Sequence, residues 1–282
     1  MDSPKASMFR LSSALSPLLL LAVLSTATTQ TGCSIRTLAL RGAADALSGT
    51  GGGFGTEDDP GMVRDAAPFG LKTMESLAEA LPDHRPLRLS MASGFAQYAY
   101  AFVNQDADRL ADKDLKQSNE LNARARRLYL RARDYALDGL QMGHEGVKAA
   151  LLGGDRGAWK NALVAMKVED VPYLYWSAAS WALAISVSKD DPKMIGDLEV
   201  AGVIMTRALE LDEKYDEGSI HEFFVSYDAA RGEVQGGGPV KSKQHLDLAQ
   251  AQCKGTKLGS MLSYAEGVLI NQQKKAEFVA IL

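Results

Sequence analysis

From Met62 onward the apolar residues return every three or four positions, and Phe69, Leu71, Met74, Leu77, Ala80 and Leu81 form the first such stripe, closed by Pro82 and Pro86. This is the spacing of a helix with one face turned inward, and most of the remaining chain keeps it. A second helix is predicted from Leu87 to Asn104, through Ala92, Phe95, Ala96, Ala99 and Phe102. A third, long and charged, is predicted from Asp106 to Met142 and stopped by Gly143 and Gly146. A short helix from Trp159 to Met166 and a longer one from Val171 to Val187 follow, the latter ended by Asp190-Asp191-Pro192. Pro192 is placed to begin the next helix, which runs to Leu211. Helices from Gly218 to Arg231, Val240 to Cys253 and Ala276 to Leu282 complete the set, with irregular chain expected between Cys253 and Ala276. The run Gly236-Gly237-Gly238-Pro239 is the clearest internal break, and no segment shows the strict alternation of a strand.

Helices arranged in pairs suggest a repeat. Gln97-Tyr98-Ala99-Tyr100-Ala101-Phe102 is similar to Ser180-Trp181-Ala182-Leu183-Ala184-Ile185, and Leu130-Arg131-Ala132 to Thr206-Arg207-Ala208. Small residues at a helix crossing admit a neighbour's bulky side chain. Ala99, Ala101, Ala182, Ala184 and Ala208 would supply the holes, and Tyr98, Phe102, Trp181 and Leu211 the knobs. The phrase Ala208-Leu209-Glu210-Leu211-Asp212 resembles the second helix of a tetratricopeptide repeat. The expected fold is therefore all-α, a helix-pair repeat of tetratricopeptide type forming a solenoid or a helical bundle.

The N-terminus has a different organisation. Lys5 and Arg10 precede the apolar run Leu18 to Leu24, and small polar residues from Ser25 to Gly32 follow. Basic, apolar and cleavable in that order, the segment reads as a secretory signal over residues 1–32. The apolar core from Ala14 to Leu24, interrupted by Pro17, is well short of the roughly 20 residues that span a bilayer. It ends Gln30-Thr31-Gly32-Cys33, which resembles a lipobox with Gln30 where leucine is usual, so Cys33 is the predicted lipidation site. Each buried acyl methylene contributes about 0.8 kcal/mol, so several chains on one cysteine hold a protein at a membrane. Of the two cysteines, acylation of Cys33 leaves Cys253 alone, which excludes an internal disulfide and reads as an ordinary small helix residue. Residues 33–61 then comprise the anchor, a short amphipathic helix from Ile35 to Leu47 near the membrane, and a glycine-rich tether; residues 62–282 form the helical domain. The glycines of the tether follow no strand and precede no Gly-Lys-Ser/Thr, so they are not a phosphate cradle.

Charge narrows the classes of partner. Lys and Arg number 31 against 35 Asp and Glu, a net charge of −4, and loss of the signal makes the balance more negative. Without a basic block, nucleic acid is not an expected partner. No cofactor or metal is expected: His221-Glu222 and His144-Glu145 each lack the second histidine, four residues on, of a metalloprotease helix. Glu169-Asp170 and Asp190-Asp191 could suggest acid-base chemistry on glycans, but both pairs stand beside Pro172 or Pro192 at helix starts, where acids favour the helix dipole. The arginines from Arg124 to Arg133 read as a salt-bridged or solvated face. The most suggestive set is aromatic: Phe95, Tyr98, Tyr100, Tyr173, Tyr175, Trp176, Trp181, Phe223 and Phe224. Tyr98 and Tyr100 project about 200° apart on a helix, so they cannot face one core. Core packing accounts for most of these residues; Tyr100, Tyr175, Trp176 and His221 are the candidate ligand-binding residues, and no catalytic residue is assigned.

Taken in order, several stretches resemble one family: Ala44 to Gly49, Ser93 to Val103, Arg124 to Tyr135, Tyr175 to Trp181, Arg207 to Asp212, and His221-Glu222-Phe223. The chain is similar to the T-component lipoproteins (TatT) of tripartite ATP-independent periplasmic (TRAP) transporters over nearly the whole of its length beyond Cys33. That resemblance implies a non-enzymatic lipoprotein with cryptic tetratricopeptide motifs, lipid-anchored in the periplasm, in the outer membrane. It also implies a homotrimer that associates with the transporter's periplasmic solute-binding protein and takes a small apolar or organic-acid ligand. The alternative is a structural tetratricopeptide lipoprotein serving envelope assembly.

Overall fold

The computed structural model describes residues 35–49 and 57–281; the signal segment, Cys33 and most of the glycine-rich run lie outside the described residues. The fold is all-α, with no strand among the described residues. Helix α1 covers residues 35–48, followed by α2 (Pro60–Ala80), which starts at Pro60 with Asp59 as its cap, accepting from the amides of Gly61 and Met62. Helix α3 (Arg85–Tyr98) is capped by His84, whose Nδ1 accepts from the Leu87 amide. Pro86 therefore sits in the first turn of α3 rather than closing α2, the position where proline's missing N–H costs nothing.

Helix α3 does not stop at Asn104. It passes through a π turn (Ala99–Asn104) into α4 (Gln105–Leu110), and α5 (Leu115–Gly143) begins only at Asp114, which accepts from the Gln117 amide. The expected start at Asp106 was displaced because no proline or glycine marks the break; the aspartate cap sets it. At 29 residues, α5 is the longest element and spans roughly 43 Å. Then come α6 (Val147–Leu152), unanticipated by the apolar spacing, α7 (Arg156–Leu163) and α8 (Val171–Ser186). The helix expected from Pro192 to Leu211 is interrupted at Asp197 into α9 (Pro192–Gly196) and α10 (Leu198–Leu211). Helices α11 (Ser219–Ala229) and α12 (Pro239–Cys253) fall as expected. The stretch expected to be irregular is α13 (Gly259–Tyr264), running into a second π turn (Ala265–Leu269), with α14 (Lys275–Ile281) last.

Neighbours in sequence are largely neighbours in space: α3 packs on α5, α5 on α8, α8 on α10, α10 on α11, and α11 on α12 and α13. The close crossing of α5 and α8 depends on Gly139, against which the Tyr173 ring lies. Ala99, Ala184 and Ala208 are fully buried, as expected of holes, and Trp181 is a buried knob. Ala101 is exposed, however, because residues two apart on a helix point about 200° apart and Ala99 already faces the crossing. The buried Ala44, the Arg41–Asp83 ion pair and the bond between Asp45 and the His84 ring hold α1 on α2 and α3. α1 is thus part of the helical body.

Candidate functional site

The start of α8 is fixed first. Asp170, 1% exposed, accepts from the Lys167 amide at 2.9 Å, meets His144 Nε2 at 2.8 Å, and pairs with Arg85. Burial alone would raise its pKa, but these donors outweigh it and hold the carboxyl below its ordinary value. Arg85 also stacks over Tyr173, 4.2 Å from the ring centroid, and donates to the Gly139 carbonyl. Asp170 is therefore a structural knot joining α3, α5 and α8, while its neighbour Glu169 is exposed. Asp191 has a similar duty, capping α9 and pairing with Arg126. Of the other arginines in that run, Arg131 reaches Glu75, and Arg133 pairs with Asp134 and covers Trp181.

With α8 so placed, Tyr175 and Trp176 stand together on its flank, and both remain partly accessible. Trp176 meets the Tyr175 ring edge-on, 5.2 Å between centroids at 84°, and Tyr215 meets it at 5.2 Å and 48°. The three rings form a corner rather than a stack. Tyr215 opens the turn into α11, where Asp216, Glu217 and Gly218 take φ of 45°, 51° and 91° in succession. Two non-glycine residues in left-handed backbone cost on the order of 1–3 kcal/mol each, and Lys257 offsets part of that by binding Asp216 and the Ser219 hydroxyl. The tight turn lets Ser219 and Glu222, one helical turn apart, share a face beside Tyr175. The Glu222 carboxylate lies against the α-carbon of Gly259, where an added Cβ would come within 1.9 Å of Oε1. Burial raises the Glu222 pKa, Lys257 opposes that, and Asp216 adds to it.

Tyr100 lies in the first π turn and is 48% exposed. Burial of its inner part raises the phenol pKa, and Glu266, Glu222 and Asp108 add to the shift in that order. Burial likewise pushes Tyr175 well above the ordinary phenol value and Tyr215 up to about 12. Glu222 acts on both Tyr100 and Tyr175, so these two lie around one carboxylate.

His221 is elsewhere. It is 1% exposed, its Nδ1 lies 2.9 Å from Nδ1 of His245, and Nε2 is 3.4 Å from Glu213. His245 in turn stacks on Phe224, with its Nε2 3.6 Å from Asp228. Turned toward α12 and closed in, His221 does not line the accessible corner with Tyr175. The remaining aromatic candidates pack with one another: Phe95 on Tyr135, Tyr98 on Phe102, Phe223 on Tyr227. Tyr215, Glu222 and Glu266 were not picked out as binding residues from sequence; within α11 the three-residue spacing of Ser219 and Glu222 puts those two on one helical face, whereas Tyr215 is set by the left-handed turn before the helix. A shallow depression along Leu115, Lys116, Asn119, Glu120 and Ala123 is the flank of a single helix and brings no converging groups.

Comparison with known proteins gives the setting for this corner. A family model described as TRAP transporter T-component matches residues 56–282. The chain belongs to that family. It is also 29% identical over 225 residues to an uncharacterized protein of Treponema pallidum (strain Nichols), a match covering 80% of this chain and 70% of that protein. As a T component the chain is a part of a TRAP transporter system, and among the described residues no helix is long and apolar enough to cross a membrane. Nor do the described residues include a group of three or more His, Cys, Asp or Glu that could hold a metal.

Proposed function

We propose that this T component is a non-catalytic, lipid-anchored scaffold of the periplasm that binds the transporter's solute-binding protein and takes a small ligand in the corner between α8 and α11. The observation that carries the ligand reading is the convergence of Tyr175, Trp176 and Tyr215, all partly accessible, on the side of Glu222. Aromatic walls with a few polar groups are the usual composition of a small-molecule site. Partner binding, a homotrimeric assembly and anchoring in the outer membrane draw support from family membership. Anchoring at Cys33 draws support from the lipobox-like sequence; because α1 is docked on the body, a lipid there keeps the body close to the bilayer.

The test is crosslinking of the full anchored chain in its own envelope, followed by purification and identification of what is captured. Recovery of a TRAP solute-binding protein supports the reading; its reproducible absence, with envelope-assembly factors captured instead, favours the structural alternative. Native mass spectrometry of the detergent-extracted protein gives the stoichiometry, three copies being expected.

A further inference from the structure

The charges around the accessible tyrosines are of one sign. Tyr100 lies in the field of Glu266, Glu222 and Asp108, Tyr175 in that of Glu222 and Asp216, and Tyr215 in that of Asp216 and Asp212. The cation acting on Glu222 is Lys257, and its Nζ is already engaged by the Asp216 carboxylate at 3.0 Å and the Ser219 hydroxyl at 2.9 Å. Lys257 acts on Glu222 only through space: among the described residues the Glu222 carboxylate takes neither a hydrogen bond nor a close ion pair. It is nonetheless drawn in from solvent, against the backbone of Gly259. A carboxylate partly removed from water without a direct partner is costly, and a cation placed beside it relieves more of that cost than the distant field of Lys257 does.

The rings select the same sign. The face of an aromatic ring is its negative side, so tyrosine and tryptophan set at angles to one another make a cage for a cation rather than an anion. Tyr175, with Trp176 at 84° and Tyr215 at 48°, has this arrangement, and the ring pairs are each 5.2 Å apart. The two π turns, rare distortions that often accompany binding sites, hold Tyr100 and Glu266, and the Glu266 charge acts on the Tyr100 phenol. An organic acid, one of the ligands the family resemblance implies, would meet Glu222 and Glu266, with Lys257 already engaged by Asp216 and Ser219.

We propose that the corner between α8 and α11 binds an organic cation, an ammonium group on a short apolar chain, with Glu222 as counter-charge and Tyr175, Trp176 and Tyr215 as the aromatic wall. This inference rests on the reading of that corner as a ligand site.

Three probes of equal chain length separate the possibilities: n-hexylammonium, hexanoate and hexanol, each titrated into the purified full chain at neutral pH by calorimetry and by tryptophan fluorescence. The ammonium is expected to bind most tightly. Glu222→Gln weakens it about tenfold and leaves hexanol unchanged, whereas Tyr175→Leu weakens both. Because Glu222 makes no bond within the fold, its glutamine variant keeps the native circular dichroism spectrum, and a loss of affinity is read as lost charge. If hexanoate or hexanol binds as tightly as the ammonium and is still weakened by Tyr175→Leu, the site stands and the preference for a cation is overturned. An undiminished ammonium affinity in Glu222→Gln overturns it equally. If none of the three binds, the ligand-site reading falls with it.

Discussion

Gly139→Ala sets two effects of known sign against each other. In an exposed helix the change stabilises by about 1 kcal/mol, because alanine loses less backbone entropy than glycine. At position 139 the new Cβ would lie 2.4 Å from both Cδ1 and Cε1 of Tyr173, against the 3.5–4.0 Å or so at which carbon atoms rest. More than about 1 Å of movement is therefore required. The ring is not free to supply it: Tyr173 is 5% exposed, its hydroxyl donates to the Arg85 carbonyl at 3.1 Å, and the Arg85 guanidinium covers its face. Overpacking in a core costs about 1–3 kcal/mol, and with the ring held from two sides the upper half of that range applies. The net expectation is destabilisation by about 1–2 kcal/mol, seen as a lower urea midpoint at unchanged m-value. In a Tyr173→Leu background the obstruction is gone, and the same alanine becomes neutral or stabilising. A Gly139→Ala protein more stable than the wild type in the native Tyr173 background would refute the close crossing of α5 and α8.

Asp170→Asn leaves Arg85 and His144 facing a neutral group, and should lower stability by about 3 kcal/mol, the low end for a broken buried pair because Arg85 is 26% exposed; urea unfolding measures it, and a loss below about 1 kcal/mol would contradict the hub. Burial lowers the His245 pKa to about 4 and lowers that of His221, so between pH 6.5 and about 4 the folded chain binds fewer protons than the unfolded one. Stability is thus complete above pH 6.5 and declines on acidification through that window, by at most about 3 kcal/mol from His245. Asp228, whose pKa burial raises, gains a proton on acidification and opposes part of the loss. His245→Phe should flatten the slope of thermal stability against pH there, and an unaltered slope would show that the buried pair does not cause it. Cys33→Ala should abolish palmitate labelling and move the chain from the membrane to the soluble fraction, whereas retained labelling would place the acyl chain elsewhere.

The helical content was legible because it rests on a local signal. Stripes at three and four residues survive whatever the tertiary arrangement, and α2, α8, α11 and α12 fall close to where the spacing puts them. The failures have physical causes of their own. Helix α3 runs through Asn104 because a π turn absorbs one residue per turn without any proline or glycine to announce it. Helix α13 was passed over as irregular chain, and it carries Gly259, where the Glu222 carboxylate packed upon it leaves no room for a Cβ. Ala101 resembled a packing hole by analogy with Ala184, yet it stands two residues from the buried Ala99 and so faces outward.

The candidate site was legible in part, and its missing part follows from helical geometry. Tyr98 and Tyr100 could be separated from sequence because residues two apart diverge by about 200°, and the fold leaves Tyr98 on the core and Tyr100 half exposed. The same argument applies to His221 and Glu222, which stand about 100° apart and so face different neighbours. Read along the chain, they invite treatment as one motif, with the histidine as the more interesting member. In the fold His221 meets His245 of α12 and is closed to solvent, while Glu222 reaches Gly259 of α13 and lies near Tyr175. What joins Glu222 to Tyr175 is the left-handed turn at Asp216, Glu217 and Gly218, which an aspartate and a glycine signal only weakly in sequence. The proposed corner, spread over two helices and a strained turn, follows from which side chains share a face and a neighbour, a relation that adjacency in sequence does not give.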